Sequence, residues 1–293
     1  MNISIKVTKT LCVSIVLLFF GVKMHAQTVD SLLTDNIQAD TIKSESDEKF
    51  DLLLLSTNFM RTAIKYSDNS GTKVNSLLTD VYLYQKTGFY AGISYSRYFK
   101  SEIHSYEFDT KIGYDKLFDN WLNVNASYNF HRFVGDESFE GLEYNHQFNF
   151  ETSATYNIFS ASVSNSFIPA ANINNFTDFS LSIYFSKEKL LKKNDYFTFS
   201  PQLSFSTGTD AWLYAEMTDF EKTTTKSYLQ MEGFNNRKYN FLSTNLYLPV
   251  SYSLGNVMLG LTYSYSIPSP KFKALGWANQ SGVTISFSFS PTF

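Results

Sequence analysis

A general base and a serine nucleophile on one strand must stand two residues apart, because alternate side chains share a face. His104 is followed two residues on by Tyr106, His131 by Phe133 and His146 by Phe148, so none offers that pair. His104 and Ser105 are adjacent and face opposite sides. The histidines are too scattered for a metal signature, and the lone Cys12 gives no thiolate pair, so no metal centre is expected. Each histidine reads as an interfacial or loop residue. His146 shares parity with Phe148 and Phe150, which puts it near the rim of an apolar face. No phosphate loop or dinucleotide fingerprint occurs, and no cofactor is expected.

Charge is the stronger signal. Between His104 and Asp115 the apolar residues Tyr106, Phe108, Ile112 and Tyr114 fall on even positions, which sends Glu107, Asp109, Lys111 and Asp115 to the opposite face. In the next segment Leu122, Val124, Ala126, Tyr128 and Phe130 alternate with Asn123, Asn125, Ser127, Asn129 and His131. The segment after that turns Glu143, Asn145, Gln147, Asn149 and Glu151 to the polar side. Carboxylates gathered on one wall of a water-filled pore favour cations. The same groups can instead fill a narrow interior as an ion-pair and hydrogen-bond network.

These faces need long two-sided strands. The last one is the clearest: Val283, Ile285, Phe287 and Phe289 alternate with Thr284, Ser286, Ser288 and Ser290, and the chain ends on Phe293. Strand-like segments with turn signals recur from Phe50 onward. We count twelve, within a range of ten to fourteen because the first two alternate poorly. Connections after even-numbered strands are short, with Lys86-Thr87-Gly88, Asp119-Asn120 and Gly255-Asn256 as turns, while those after odd-numbered strands are mostly longer. The longest, 208–238, carries Trp212, Tyr214, Phe220, Tyr228, Phe234 and Arg237. It reads as a recognition loop, an inward constriction or an aromatic extension of its hairpin. Pro201 and Pro249 fall inside strands and imply bulges or local distortion.

The pattern implies an all-β fold, a transmembrane antiparallel up-and-down β-barrel. A soluble sandwich or lipocalin-like barrel would carry charge on its outer face. Here the polar face is mostly Ser, Thr and Asn, and strands of about 10–12 residues are long for a sandwich. With 28 Phe and 20 Tyr but no apolar run of about 18 residues after position 21, a helical membrane protein is excluded.

Residues 1–26 read as a secretory signal: Lys6 and Lys9 precede an apolar core from Leu11 to Phe20, and Ala26 offers a cleavage site. Cys12 opens that core, whereas a lipoprotein cysteine would follow it. Residues 27–49 read as an acidic flexible periplasmic leader, and 50–293 as the barrel. Removing Lys6, Lys9 and Lys23 takes the formal charge of −3 to about −6. The lack of a basic patch makes nucleic acid an unsuitable partner.

The chain resembles the outer-membrane β-barrel proteins of Gram-negative bacteria over about 50–293, and its Tyr-, Phe- and Asn-rich composition is similar to barrels of Bacteroides-like lineages. The resemblance implies residence in outer-membrane lipid with both termini in the periplasm. It also implies recognition by the barrel-assembly machinery through the carboxy-terminal pattern Phe287, Phe289 and Phe293. A monomer is expected. The outer-membrane phospholipase family uses a His and a Ser two apart, which this sequence lacks. The leading expectation is therefore a passive channel for small polar or cationic solutes. A structural or recognition barrel serving an envelope complex is the second reading, and a lipid hydrolase the third.

Overall fold

A computed structural model of the chain describes residues 52–63, 73–100, 103–134, 145–169, 174–192, 194–214, 217–235 and 239–291. The signal and leader, together with Glu143, Arg237 and Phe293, lie outside the described residues.

Twelve antiparallel strands close into a barrel. They are β1 (Leu52–Ala63), β2 (Lys73–Tyr84), β3 (Phe89–Lys100), β4 (Ile103–Phe118), β5 (Leu122–Val134), β6 (His146–Tyr156) and β7 (Phe159–Ile168). Next come β8, made of Asn174–Ile183 and Phe185–Glu188, and β9, made of Asp195–Phe199 and Gln202–Thr209. The last three are β10 (Tyr239–Leu254), β11 (Val257–Pro268) and β12 (Gln280–Phe289). Each pairs with its neighbour in sequence, and β12 closes on β1 from Leu55↔Phe289 to Arg61↔Val283. Closure leaves no strand edge unpaired, the only way a sheet can satisfy its backbone without water.

Hairpin turns at one end fix the register. Asp119 and Asn120 both take positive φ (48° and 58°), the conformation that matches strand twist in tight hairpins. Positions equidistant from Asn120 therefore face one another, from Phe118↔Leu122 to Tyr106↔Val134. The charged 187–195 connection is organised by Asp195, whose carboxylate accepts from the backbone N–H of Leu190, Leu191 and Lys192 at 2.6–2.7 Å and from the Tyr252 hydroxyl at 2.9 Å.

The prolines act together. Pro201 splits β9 at Ser200–Pro201, and β8 breaks beside it at Tyr184. β10 runs through Pro249 without a register shift, while Ser200 N–H donates to the Pro249 carbonyl at 3.1 Å. Pro249 lacks the donor that would return to Ser200 and Pro201 the one that would return to Ile183, so both missing bonds fall where β8 and β9 are interrupted. The only irregularity in the β9–β10 register lies elsewhere, between Ser206 and Thr207.

The wall has an apolar outside. Ile93, Ile112, Leu181, Leu261, Ile285 and Phe287 are all about half exposed, and aromatic residues such as Phe89, Phe118 and Trp121 stand near the short-turn end. Their neighbours on alternate positions, among them Ser94, Asn125, Ser180, Ser204 and Ser288, are buried inside. An apolar belt around a polar interior is the arrangement of a transmembrane barrel. Among the described residues no helix is long and apolar enough to cross a membrane.

The long connection after β9 is more structured than its composition implies. A 3-10 turn (Ala211–Tyr214) leads to α1 (Asp219–Met231). Thr218 caps α1 with a capping box: Glu221 N–H donates to its hydroxyl oxygen at 3.3 Å, and its own N–H donates to the Glu221 carboxylate at 2.8 Å. Gly233, at φ 85°, ends the helix and lets Phe234 N–H reach the Leu229 carbonyl at 2.8 Å. A shorter helix, α2 (Pro270–Ala274), follows β11, with Pro270 in its first turn.

Candidate functional site

The interior is built from three regions. The first is an acidic wall on β3–β6 near the long-loop end. Antiparallel register sets Asp109 opposite His131, with Glu107 two residues away on the same face. His131 Nδ1 lies 2.7 Å from Asp109 Oδ1 and 3.0 Å from Glu107 Oε1. Tyr98 donates its hydroxyl to Glu107 Oε2 at 2.7 Å. His131 Nε2 lies 3.1 Å from Gln147 Oε1, while the Gln147 amide nitrogen donates to Asn149 Oδ1 at 2.7 Å and to Ser166 at 3.3 Å. His131 is thus a buried interior group and not an interfacial or loop residue. The expectation of no metal-ligating cluster is corrected likewise: ligand atoms of Glu107, Asp109 and His131 lie within 4.8 Å of one another. Sequence separation hid the cluster. The hairpin centred on Asn120 reveals it, because positions 109 and 131 are equidistant from that residue.

Along the same wall, Lys111 places its ammonium 5.6 Å over the Tyr90 ring. Nearer the short-turn end, Asp115 accepts from Asn123 at 2.8 Å and from Asn125 at 3.1 Å, and Tyr90 donates to Asn125 Oδ1 at 3.3 Å. Glu151 faces inward opposite Asn125 and Ser164. Alternation therefore places Glu107, Asp109, Lys111, Asp115, Asn123, Asn125, Asn149 and Glu151 on the inner face.

The second region is aromatic and was not legible from the polar pattern. Leu54, Tyr82 and Tyr90 are buried inside the short-turn end with Tyr84 against them, and the Tyr84 and Tyr90 rings stack at 5.1 Å. The rings lie against two glycines. A Cβ at Gly92 would meet the Tyr82 ring at 2.1 Å, and one at Gly113 would meet Tyr90 at 2.5 Å. This inward apolar cluster is why β1 and β2 alternate poorly. Asp80 on β2 accepts from Ser56 at 2.8 Å and from Asn58 at 3.4 Å.

The third region is a cap at the long-loop end over β7–β11. Ile168, Phe176, Trp212 and Phe272 form a buried cluster joined by Trp277, with Trp212 and Phe272 stacked at 5.8 Å. Lys271 donates to Asp210 Oδ2 at 2.6 Å, both residues being buried, and Asn240 donates to the same oxygen at 3.2 Å. Burial and the nearby Asp210 carboxylate push the Tyr214 phenol up to about 12. Tyr228 ties α1 to α2 through the Ala274 carbonyl at 3.2 Å.

Trp212 is thereby corrected as an outward recognition residue. It is only 7% exposed because its ring packs inside the cap. Tyr214 and Phe234 are half-buried, whereas Phe220 (80% exposed) and Tyr228 remain on the surface. Phe287 and Phe289 face outward on β12.

Such a wall and interior define a transmembrane β-barrel with a polar interior. No family model matches the sequence, and no curated protein does. The chain is similar to several solved barrels. One is the KdgM porin, at TM-score 0.46 and 9% identity over 82% of this chain and 99% of that one. A second is LpxR from Salmonella typhimurium, at TM-score 0.47 and 7% identity over 81% and 99%. A third is the beta domain of the Bordetella autotransporter BrkA, at TM-score 0.47 and 11% identity over 83% and 99%.

Proposed function

We propose that this barrel is a passive channel of the bacterial outer membrane for small polar or cationic solutes, with both chain termini on the periplasmic side. The observation that carries this reading is the concentration of inward carboxylates on one wall. Glu107 and Asp109 lie near the long-loop mouth and Asp115 toward the short-turn end, with Lys111 between them. Cations would follow this ladder, and Lys111 would moderate its pull. Twelve strands give a lumen wider than the roughly 8-stranded barrels that side chains fill and narrower than porins of about 16. The cap covers the β7–β11 side of the long-loop mouth, so the acidic side is the proposed entrance. The inward tyrosines would form the narrow part at the other end.

The carboxy-terminal strand supports insertion by the barrel-assembly machinery, with Phe287, Phe289 and Phe293 as the recognition pattern. The chain would act as a monomer.

Planar-bilayer recording of the refolded mature chain tests the function. Discrete steady conductance steps are expected. Silence from a barrel shown to be folded by heat-modifiable gel mobility would overturn the reading.

A further inference from the structure

We propose that Glu107, Asp109 and His131 bind one divalent transition-metal ion of the zinc or manganese type inside the lumen. The inference deepens the proposed function and rests on it in one respect: the lumen must admit an ion.

The amide of Gln147 fixes the tautomer of the His131 ring. Its nitrogen is committed as a donor to Asn149 and Ser166, which turns its oxygen toward His131 Nε2. Nε2 must then carry a hydrogen. A neutral imidazole with Nε2–H has a lone pair on Nδ1. That lone pair points at two carboxylate oxygens, 2.7 and 3.0 Å away. Either a proton on Nδ1 or a metal ion must therefore stand between the ring and the two oxygens.

A proton on Nδ1 would leave one positive charge against two carboxylates, a net charge of −1 at a mostly buried position. A divalent ion balances both carboxylates. The surrounding contacts are those that support a metal site. Gln147 receives the hydrogen of the ring nitrogen away from the metal, and Tyr98 holds the outer oxygen of Glu107. One imidazole and two carboxylates suit zinc or manganese and do not suit soft monovalent copper. Asp109 is the most exposed of the three side chains, at 18% against 8% and 10%. Access to the three groups is therefore widest on the Asp109 side. Metal bound there would neutralise the mouth of the acidic wall and obstruct cation entry.

The test uses the refolded mature chain and ZnCl2 alone, followed by calorimetry, with Co2+ absorption as a second readout of the ligand set. One saturable zinc equivalent per chain is expected. Loss of a supporting contact typically costs about 10- to 100-fold in metal affinity, so His131→Ala and Glu107→Gln should each cost at least about tenfold. His146→Ala, on the outer face, should retain the site. Heat-modifiable mobility establishes that each variant is folded. The absence of a saturable site in a folded barrel would overturn the proposal, because a proton would then suffice between the three groups. Undiminished binding in folded His131→Ala would overturn it as well. Zinc binding by an electrically silent barrel would contradict the channel alone. Conductance without a zinc site would contradict the metal site alone.

Discussion

The inner faces of β2–β6 and of β7–β12 differ in kind. The first carries Asp80, Glu107, Asp109, Lys111, Asp115 and Glu151, tied by His131, asparagines and tyrosines. The second is mostly hydroxyl: Ser160, Ser180, Ser182, Ser204, Thr284 and Ser288 face inward with little side-chain volume, around Asp178, which accepts from Ser206. Bulk on that side comes from the cap, which reaches in from the loops. One half of the interior is thus filled mainly from its strands and the other largely from its connections. On the first wall, fixed strand register sets the depth of each charge. Loss of a cap built from loops is expected to leave the barrel closed.

The largest effect should come from the cap. Lys271→Met leaves the buried Asp210 carboxylate without its cation, a change that typically costs about 3–5 kcal/mol. Hydrogen exchange should then accelerate in 211–214 and α2 while the β1–β12 seam stays protected. Equal acceleration across the seam would show that the cap and wall are one cooperative unit. Adding Asp210→Asn should restore part of the protection.

Glycine substitutions sharpen the contrast between the walls. Gly92→Ala drives a methyl into the Tyr82 ring, which is held by Leu54 and its neighbouring tyrosines, and overpacking of this kind costs about 1–3 kcal/mol. Gly260→Ala on the hydroxyl wall meets only the Ser286 hydroxyl at 2.2 Å, which can rotate away. Urea midpoints should therefore fall further for Gly92→Ala than for Gly260→Ala. The reverse order would mean that the tyrosine cluster is not a packed feature.

The smallest effect concerns the surface of the cap. The Thr218 backbone N–H and hydroxyl beside Glu221 hold its carboxyl below the ordinary carboxylate range. A folded value below the unfolded one gives stability that is present above the unfolded pKa and is lost as pH falls through the folded value. Amides in the first turn of α1 should thus lose protection only in acid, and Glu221→Gln should flatten that dependence. An unchanged acid profile in the variant would remove the capping box from the account.

Much of this architecture is legible in the sequence. Alternation in β4, β5 and β12 separates the wall into faces because a strand has a strict period of two. It fails in β1 and β2, where Leu54 and Tyr82 make both faces apolar, and it says nothing directly about partners across strands. His131 and Asp109 meet only through the hairpin at Asp119-Asn120, a step of register counting beyond parity. The cap was hidden for another reason. α1 has a weak apolar face, with Leu229 its one fully buried residue, although Thr218-x-x-Glu221 marks its start. Ser269-Pro270 likewise marks the start of α2.

The proposed channel turns on charge filtering by the β2–β6 wall. The most direct measurement is the reversal potential across a salt gradient for the native chain and for the Glu107→Gln/Asp109→Asn double variant, both recorded with chelator present. A cation-selective potential that moves toward zero in the variant, with conductance steps retained, is the predicted result. An unchanged potential in a conducting, folded variant would contradict the claim.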